Sequence, residues 1–259
     1  MRIKSILALA LIALAMTNCS PLNLTTFNAT SNGVEYKYEV VVPMMNFVRV
    51  SAVTPADQLT GEVVVPSTVN YNGTNYVVSQ IGKSAFEGYY DITEMTIPST
   101  ISVIEDKAFR NCTALSEINT PQPLSTIGDY AFEGCSSLES FSLQASISKL
   151  GEGCFRNCTS LTSVTFPTSL NNIPAKAFEG CADLEEINID QTMLTIGSKA
   201  FFGCAAVTDF TCLTPTPPTA SYNTFEGMDA NLPVTVPMAN IEQYRTAIGW
   251  SYFTNYQGQ

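Results

Sequence analysis

A pattern of 23 residues recurs six times in this chain and limits the folds that it can adopt. The copies begin at Ile81, Ile104, Ile127, Leu150, Ile173 and Ile196. Units of this length stack on one another, because a single unit cannot bury its apolar side chains alone. We therefore predict one continuous solenoid of stacked units.

Conserved spacing within the unit predicts its local structure. The sixth position is always Phe and the fifth is Ala, or Cys154 in the fourth copy, so a large ring packs beside a small side chain. The eighth position is Gly or Asn, which tolerate positive φ and predict a left-handed turn at the end of a short helical segment. Alternating apolar residues such as Leu161, Val164 and Phe166 then predict a strand with one buried face.

These features resemble the BspA-type leucine-rich repeats of bacterial surface proteins. The resemblance is carried by the Ala-Phe pair, by a Cys three residues after the Phe, and by Leu-x-x-Val-x-Phe-Pro at 161–167. It implies a right-handed α/β solenoid with a parallel β-sheet on one face and short helical turns on the other. It also implies binding of host proteins, as in some members, and no catalysis.

The chain before the repeats has the features of an export signal. In residues 1–18, Arg2 and Lys4 precede an apolar run that is too short to span a bilayer, which is typical of a signal peptide. The run ends at Cys19 in a setting that resembles a bacterial lipobox, so Cys19 is the expected lipid anchor. The alternative is a secreted protein in which Cys19 is incidental. We expect an exported protein, lipid-anchored at the outer membrane or cell surface.

The remaining boundaries follow from the repeats. We assign a flexible tether to 19–32, a β-rich N-terminal cap to 33–80, the six repeats to 81–213, and a degenerate repeat with a C-terminal cap to 214–259.

Composition argues against several kinds of function. The formal net charge of −11 argues against a nucleic acid as partner. The chain has no His, so it lacks the commonest general base and the usual partner of a Ser or Cys nucleophile. We expect no enzyme activity and no cofactor.

Five cysteines occupy one position of the repeat. They are Cys112, Cys135, Cys158, Cys181 and Cys204. Equivalent side chains in a stack point the same way, which disfavours disulfides, and a linear row offers a metal one ligand per layer. We expect buried free thiols and no metal site.

The outward-facing residues of the predicted strands form a row that we call the polar strip. Its members are Glu94, Thr96, Glu117, Asn119, Ser140, Ser142, Ser163, Thr165, Glu186, Asn188, Asp209 and Thr211. They are small and polar, or acidic, and predict a shallow hydrogen-bonding face for an extracellular or host protein. A glycan-binding or structural role is the alternative, and a merely soluble sheet surface stays open because the strip lacks the Trp, Tyr and Arg typical of interface hot spots.

The opposite side of the repeats offers a second candidate face. It carries Arg110, Tyr130, Arg156 and Phe202, and the two aromatic rings are expected to be exposed. Contact with a membrane is expected only through the N-terminal lipid.

Overall fold

The computed structural model describes residues 26–42, 45–120, 123–190 and 192–259. The expected signal peptide and Cys19 lie outside the described residues. Strand β1 (Thr26–Ser31) pairs antiparallel with β2 (Val34–Val42), and its Phe27 is buried. The prediction of a flexible tether is therefore wrong for residues 26–31, where Phe27 packs against Tyr38 and Tyr71.

The N-terminal part of the chain is rich in β-structure. After β2 come β3 (Phe47–Ala52), a 3₁₀ turn (Ala56–Gln58), β4 (Gly61–Val64), β5 (Thr68–Tyr71) and β6 (Thr74–Ile81). Strands β5 and β6 form a hairpin through Asn72 and Gly73, both of which have positive φ. Strand β6 also pairs parallel with β3 and then begins the first row of the solenoid.

Two rows of short parallel strands run along the repeats. The first row contains β6, β8 (Val103–Ile104), β10 (Thr126–Ile127), β11 (Lys149–Leu150), β13 (Asn172–Ile173) and β15 (Thr195–Ile196). The second contains β4, β7 (Ile92–Thr96), β9 (Glu117–Asn119), β12 (Ser163–Thr165), β14 (Glu186–Ile189), β16 (Asp209–Cys212), β17 (Pro233–Val236) and β18 (Asn255–Gly258). Equivalent residues of successive repeats pair, as Ile104, Ile127 and Leu150 do. The fold is thus a parallel-strand β-solenoid of about eight turns.

Tight turns connect the two rows, and the expected short helices are absent from the described repeats. In the first repeat the amides of Ala85 and Glu87 donate to Gly82 and Ser84, three residues back. The amides of Ser84, Phe86 and Gly88 donate instead to carbonyls of the next repeat. Because alternate amides bond between repeats, an α-helical ladder cannot form. Among the described residues the α-helical segment is α1 (Ile241–Thr246), flanked by 3₁₀ turns at Met238–Asn240 and Trp250–Tyr252.

A column of stacked phenylalanine rings forms the centre of the core. Phe86, Phe109, Phe132, Phe155, Phe178 and Phe201 are 0–1 % exposed, and neighbouring ring centroids are 5.2–5.6 Å apart. Burial of each ring contributes roughly 2–3 kcal/mol relative to exposure. The indole of Trp250 lies 4.9 Å from Phe225 and closes the column at its C-terminal end.

A parallel column of cysteines confirms the prediction of buried free thiols at this repeat position. Each Sγ donates to the carbonyl oxygen of the Phe in the preceding repeat, at 3.0–3.2 Å. Burial raises the pKa of Cys112 and Cys204 to about 12. The column therefore supplies small hydrogen-bonding side chains to the core and no accessible nucleophile.

Candidate binding face

The structure places ten members of the polar strip on paired strands with their side chains on one face. Glu94 pairs with Glu117 and Thr96 with Asn119, across β7 and β9. Further along, Ser163, Glu186 and Asp209 align across β12, β14 and β16, as do Thr165, Asn188 and Thr211. All ten side chains are exposed or half-buried, while the residues between them are buried.

The sheet beneath the strip is interrupted in the third repeat. Ser140 and Ser142, the other two members, lie in a segment (139–144) that forms no strand. No backbone hydrogen bond joins residues 140–143 to β9 or β12 among those described. The strip is therefore divided, with β4, β7 and β9 on one side and five strands on the other.

A glutamine side chain replaces one main-chain bond at the interruption. In the last repeat the amide of Leu213 donates to the carbonyl of Ile189 at 3.0 Å. At the equivalent positions of the third repeat, the side-chain Nε2 of Gln144 donates to the carbonyl of Thr120 at 2.8 Å. A side-chain donor that competes with the backbone for an acceptor opposes regular pairing. The loss of the strand coincides with this side-chain bond.

The first of two clefts lies between β9 and the interrupted segment. It has a volume of about 410 Å³ and is lined by Ser116, Glu117, Ile118, Asn119, Thr120, Glu139, Ser140, Ser142 and Gln144. The carboxylates of Glu117 and Glu139 are both exposed at this cleft. The Oε1 atom of Gln144 is buried and has no hydrogen-bond partner within the described chain.

The second cleft lies on the other side of the interrupted segment. It has a volume of about 430 Å³ and is lined by Ser140, Phe141, Ser142, Leu143, Ser163, Thr165 and Pro167. Its lining combines hydroxyl groups with apolar side chains and contains no charged residue. Ser140 and Ser142 line both clefts, so the two clefts form one divided groove across the strip.

Charge is distributed unequally between the two faces of the repeats. Glu62 of β4 pairs with Glu94, which extends the acidic row to three neighbouring strands. Like charges directly opposite one another on adjacent strands are destabilising. No Lys or Arg occurs in the sequences of β7, β9, β12, β14 and β16. The strip is consequently an acidic face without neutralising cations on its strands.

Two arginines on the turn side form a ladder of ion pairs. Arg110 lies 3.2 Å from Glu87 and 2.7 Å from Glu133, and Arg156 lies 3.1 Å from both Glu133 and Glu179. Glu133 and Glu179 have only 12 % and 13 % of their side chains exposed. These arginines are occupied by intramolecular partners and join five consecutive repeats.

The two aromatic residues of the second candidate face, Tyr130 and Phe202, are half-buried, so the expectation of exposed rings is wrong. Both also contact charged side chains of the same face. Tyr130 donates to Glu152 at 2.7 Å, and Lys176 approaches the same carboxylate at 2.6 Å. Hydrogen bonds from Lys176 and Tyr130 lower the pKa of Glu152. Lys199 lies 5.0 Å from the centroid of the Phe202 ring. This face is thus stabilised internally, which favours the strip as the binding face.

Sequence reasoning missed three residues of the strip region. Glu62 was assigned to the N-terminal cap, although its strand ends in Val63-Val64-Val65-Pro66 as the strands of repeats do. Glu139 and Gln144 line the first cleft, and Gln144 stands where three copies have Pro, which was a readable signal.

The described residues contain neither a metal-binding cluster nor a membrane-spanning helix. No group of three or more His, Cys, Asp and Glu side chains there is placed to hold a metal ion. Within the same part of the chain no helix has the length and apolar character needed to cross a membrane.

Comparisons with known proteins give a consistent picture of the fold. A family model described as a BspA type leucine rich repeat region matches residues 79–208 in six copies. A leucine-rich repeat protein of T. pallidum (TpLRR) superimposes with a TM-score of 0.53 at 23 % identity, over 73 % of this chain and 91 % of that one. The pneumococcal vaccine antigen PcpA superimposes with a TM-score of 0.59 at 21 % identity, over 81 % of this chain and 64 % of that one. No curated protein matches the sequence.

Proposed function

The chain belongs to the BspA-type leucine-rich repeat family, and from that premise we propose that it is a non-enzymatic binding protein displayed outside the cell. Proteins of this repeat family and its structural neighbours point to a surface or exported location. The proposal adds that Cys19 carries the lipid that anchors the protein and that the ligand is an extracellular or host protein.

One observation supports the binding role most directly. The polar strip presents aligned side chains of five strands, and a groove formed by the two clefts crosses its middle. The turn side, by contrast, has its charged groups paired with one another. Within the strip, Asn188 donates to Glu186 and Thr211 to Asp209, but no strip carboxylate forms an ion pair among the described residues. Acidic side chains without a cationic partner suit recognition of a partner better than those already in ion pairs.

A glycan is the second candidate ligand. The hydroxyl groups of Ser140, Ser142, Ser163 and Thr165 line the groove and could match sugar hydroxyls. The aromatic residue that lines the clefts, Phe141, is only 8 % exposed and offers little ring surface on which a sugar could stack. This favours a protein ligand over a glycan.

The test compares binding of the purified protein to a panel of extracellular matrix proteins and to a glycan array. Replacement of Glu117, Asn119, Ser140 and Ser142 by Lys should abolish binding to a matrix protein. A matched control replaces the exposed residues Ser148, Asn171, Glu226 and Ser251 by Lys, with the same change in charge outside the strip. Binding that survives the first set, or that is lost equally in the control, would place the site elsewhere.

The anchor is tested separately by the intact mass of the protein isolated from membranes, combined with protease treatment of whole cells. A diacyl or triacyl mass on Cys19 with external cleavage is the expected result. An unlipidated mass would contradict the anchor but not the binding role.

A further inference from the structure

The two clefts differ in chemistry although they share Ser140 and Ser142. The first has two exposed carboxylates, Glu117 and Glu139, and the second has the apolar side chains of Phe141, Leu143 and Pro167. Neither cleft is lined by a Lys or Arg. A ligand that fills both must therefore offer a positive group beside an apolar one.

The buried Oε1 atom of Gln144, at the first cleft, also favours a ligand with a positively charged donor group. Gln144 uses its Nε2 to bond Thr120, and its Oε1 has no partner among the described residues. An unsatisfied buried acceptor is costly, and a donor in the cleft reaches it when the Gln144 side chain turns toward the cleft. A guanidinium or ammonium group supplies several donors at once, and it also pairs with carboxylates.

The interruption leaves main-chain groups available as well. Residues 140–143 form no backbone bond to either neighbouring strand in the described structure, so the sheet does not use their amides and carbonyls. An extended polypeptide carries both backbone donors and acceptors and presents alternate side chains on one side. A glycan carries neither a cation nor a side chain that matches the second cleft.

We propose that the groove binds an extended basic peptide segment, with an Arg or Lys side chain between Glu117 and Glu139 and a neighbouring apolar side chain in the second cleft. This inference rests on the proposed function and names the chemistry of its ligand. The strip's acidic rows attract such a segment, and the cleft residues hold it.

The test uses three synthetic peptides with the purified full-length protein. They are acetyl-Gly-Ser-Arg-Ser-Leu-Ser-Gly-amide and the same peptide with Gln or Glu in place of Arg. Titrations followed by ¹H–¹⁵N nuclear magnetic resonance report both affinity and location. The Arg peptide should bind about tenfold more tightly than the Gln peptide, because it adds charge-assisted hydrogen bonds. Its shifts should concentrate at residues 116–120 and 139–144.

A pair of variants separates the cleft from general electrostatics. Glu117→Gln with Glu139→Gln should remove the preference for Arg over Gln. Glu185→Gln with Glu226→Gln changes the net charge equally at exposed residues outside both clefts and should preserve that preference. Equal affinity for the Arg and Gln peptides, an equal loss in both variants, or shifts confined to the turn side would overturn the inference.

These outcomes are distinguishable from failure of the proposed function. If a matrix protein binds at the strip but the Arg preference is missing, the basic-peptide inference falls and the binding role stands. If only glycans bind at the groove, both the peptide inference and the protein ligand are wrong. If nothing binds at the strip, the proposed function fails as well.

Discussion

At the scale of single residues, the alternation of Gly and Asn at the eighth position has a packing explanation. Asn111, Gly134, Asn157 and Gly180 all have positive φ, between 57° and 77°. A Cβ added at Gly134 would lie 2.5 Å from Oδ1 of Asn111, and one at Gly180 would lie 2.4 Å from Oδ1 of Asn157. Each Asn side chain thus occupies the space that the next repeat leaves empty. The alternation accompanies the Arg and Glu ladder, because each Asn follows an Arg and these glycines follow a Glu.

This contact predicts different costs for two similar substitutions. Gly203→Ala should cost about 1 kcal/mol of unfolding free energy, since it meets only the penalty for positive φ. The nearest atoms to the added Cβ are 3.9 Å away, in Gly180. Gly134→Ala should cost about 2 kcal/mol more, because it also overlaps Asn111. Urea denaturation measures both.

Rescue provides the control for this prediction. Adding Asn111→Gly to Gly134→Ala removes the overlapping amide and should restore most of the extra 2 kcal/mol, an estimate that follows from the cost of overpacking. Equal destabilisation by the two single substitutions would contradict the packing explanation.

The thiol column predicts how stability depends on alkaline pH. The ordinary thiol pKa is 9.0, and burial raises that of Cys112 and Cys204 to about 12. From about pH 9 the unfolded chain therefore loses thiol protons that the folded chain keeps, so the free energy of unfolding falls as pH rises. Each such thiol contributes a loss of about 1.4 kcal/mol per pH unit within this window.

The measurement is the urea midpoint between pH 7 and 10. A Cys112→Ala and Cys204→Ala double variant should show a shallower decline than the parent protein, although its midpoint at pH 7 is lower. A parallel slope in the two proteins, or rapid reaction of the native thiols with a disulfide reagent at pH 8, would show that these thiols are accessible.

At the scale of elements, the interrupted segment (139–144) predicts a local difference in hydrogen exchange. Amides of residues 140–143 should exchange with solvent faster than those of Glu117–Asn119 and Ser163–Thr165, which are paired in the sheet. The substitution Gln144→Leu introduces the residue that the sixth repeat has at the equivalent position, Leu213. It also removes the side-chain donor that competes with the backbone for the carbonyl of Thr120. Exchange at 140–143 should then slow by about tenfold as backbone pairing replaces the side-chain bond.

Hydrogen exchange followed by nuclear magnetic resonance resolves these amides. Slow exchange of residues 140–143 in the parent protein would contradict the interruption. Unchanged exchange in Gln144→Leu would show that the bond from the Gln144 side chain to Thr120 does not oppose pairing. The interruption itself would still stand.

At the scale of elements, the strands were predictable from the sequence, but the conformation of the turns was not. The inward strand residues and the positive φ of the eighth position followed from Leu161, Val164 and Phe166 and from the Gly and Asn pattern, since periodicity reports burial and φ preference. The second left-handed position was missed, because it is occupied by Ser84, Lys107, Tyr130, Gly153, Lys176 and Lys199, which share no conformational preference. The helical turns were predicted wrongly because the pattern cannot distinguish amides that bond within a turn from those that bond to the next repeat.

The candidate site was predictable in part for the same reason. Alternation along the strands located the outward residues of the strip correctly. It could not show that Ser140 and Ser142 lie in a gap, because alternation reports burial along one strand and not pairing between repeats. The Gln at 144, where three copies have Pro, marks the position but not the contact of its side chain with the carbonyl of Thr120.

At the scale of the whole molecule, the stack separates its charges into two faces and must close its core at both ends. The ion-pair ladder crosses five repeats on one side, and the acidic strip lies on the other. Stability in such a stack is approximately a sum over repeats and their interfaces. The ends therefore determine whether unfolding begins locally.

Substitution of Trp250 tests whether unfolding begins at the C-terminal end. Trp250 is 0 % exposed, its Nε1 donates to the carbonyl of Pro218 at 2.7 Å, and its ring packs on Phe210 and Phe225. Trp250→Ala should cost about 3–5 kcal/mol locally, as for other buried aromatic truncations. Because each repeat contacts only its neighbours, amides in 196–236 should lose protection while those in 81–118 keep it. Phe132→Ala, in the middle of the column, should instead lower protection in both regions. Uniform loss of protection in Trp250→Ala would mean that the described repeats unfold as one cooperative unit and that the end is not a separate point of opening.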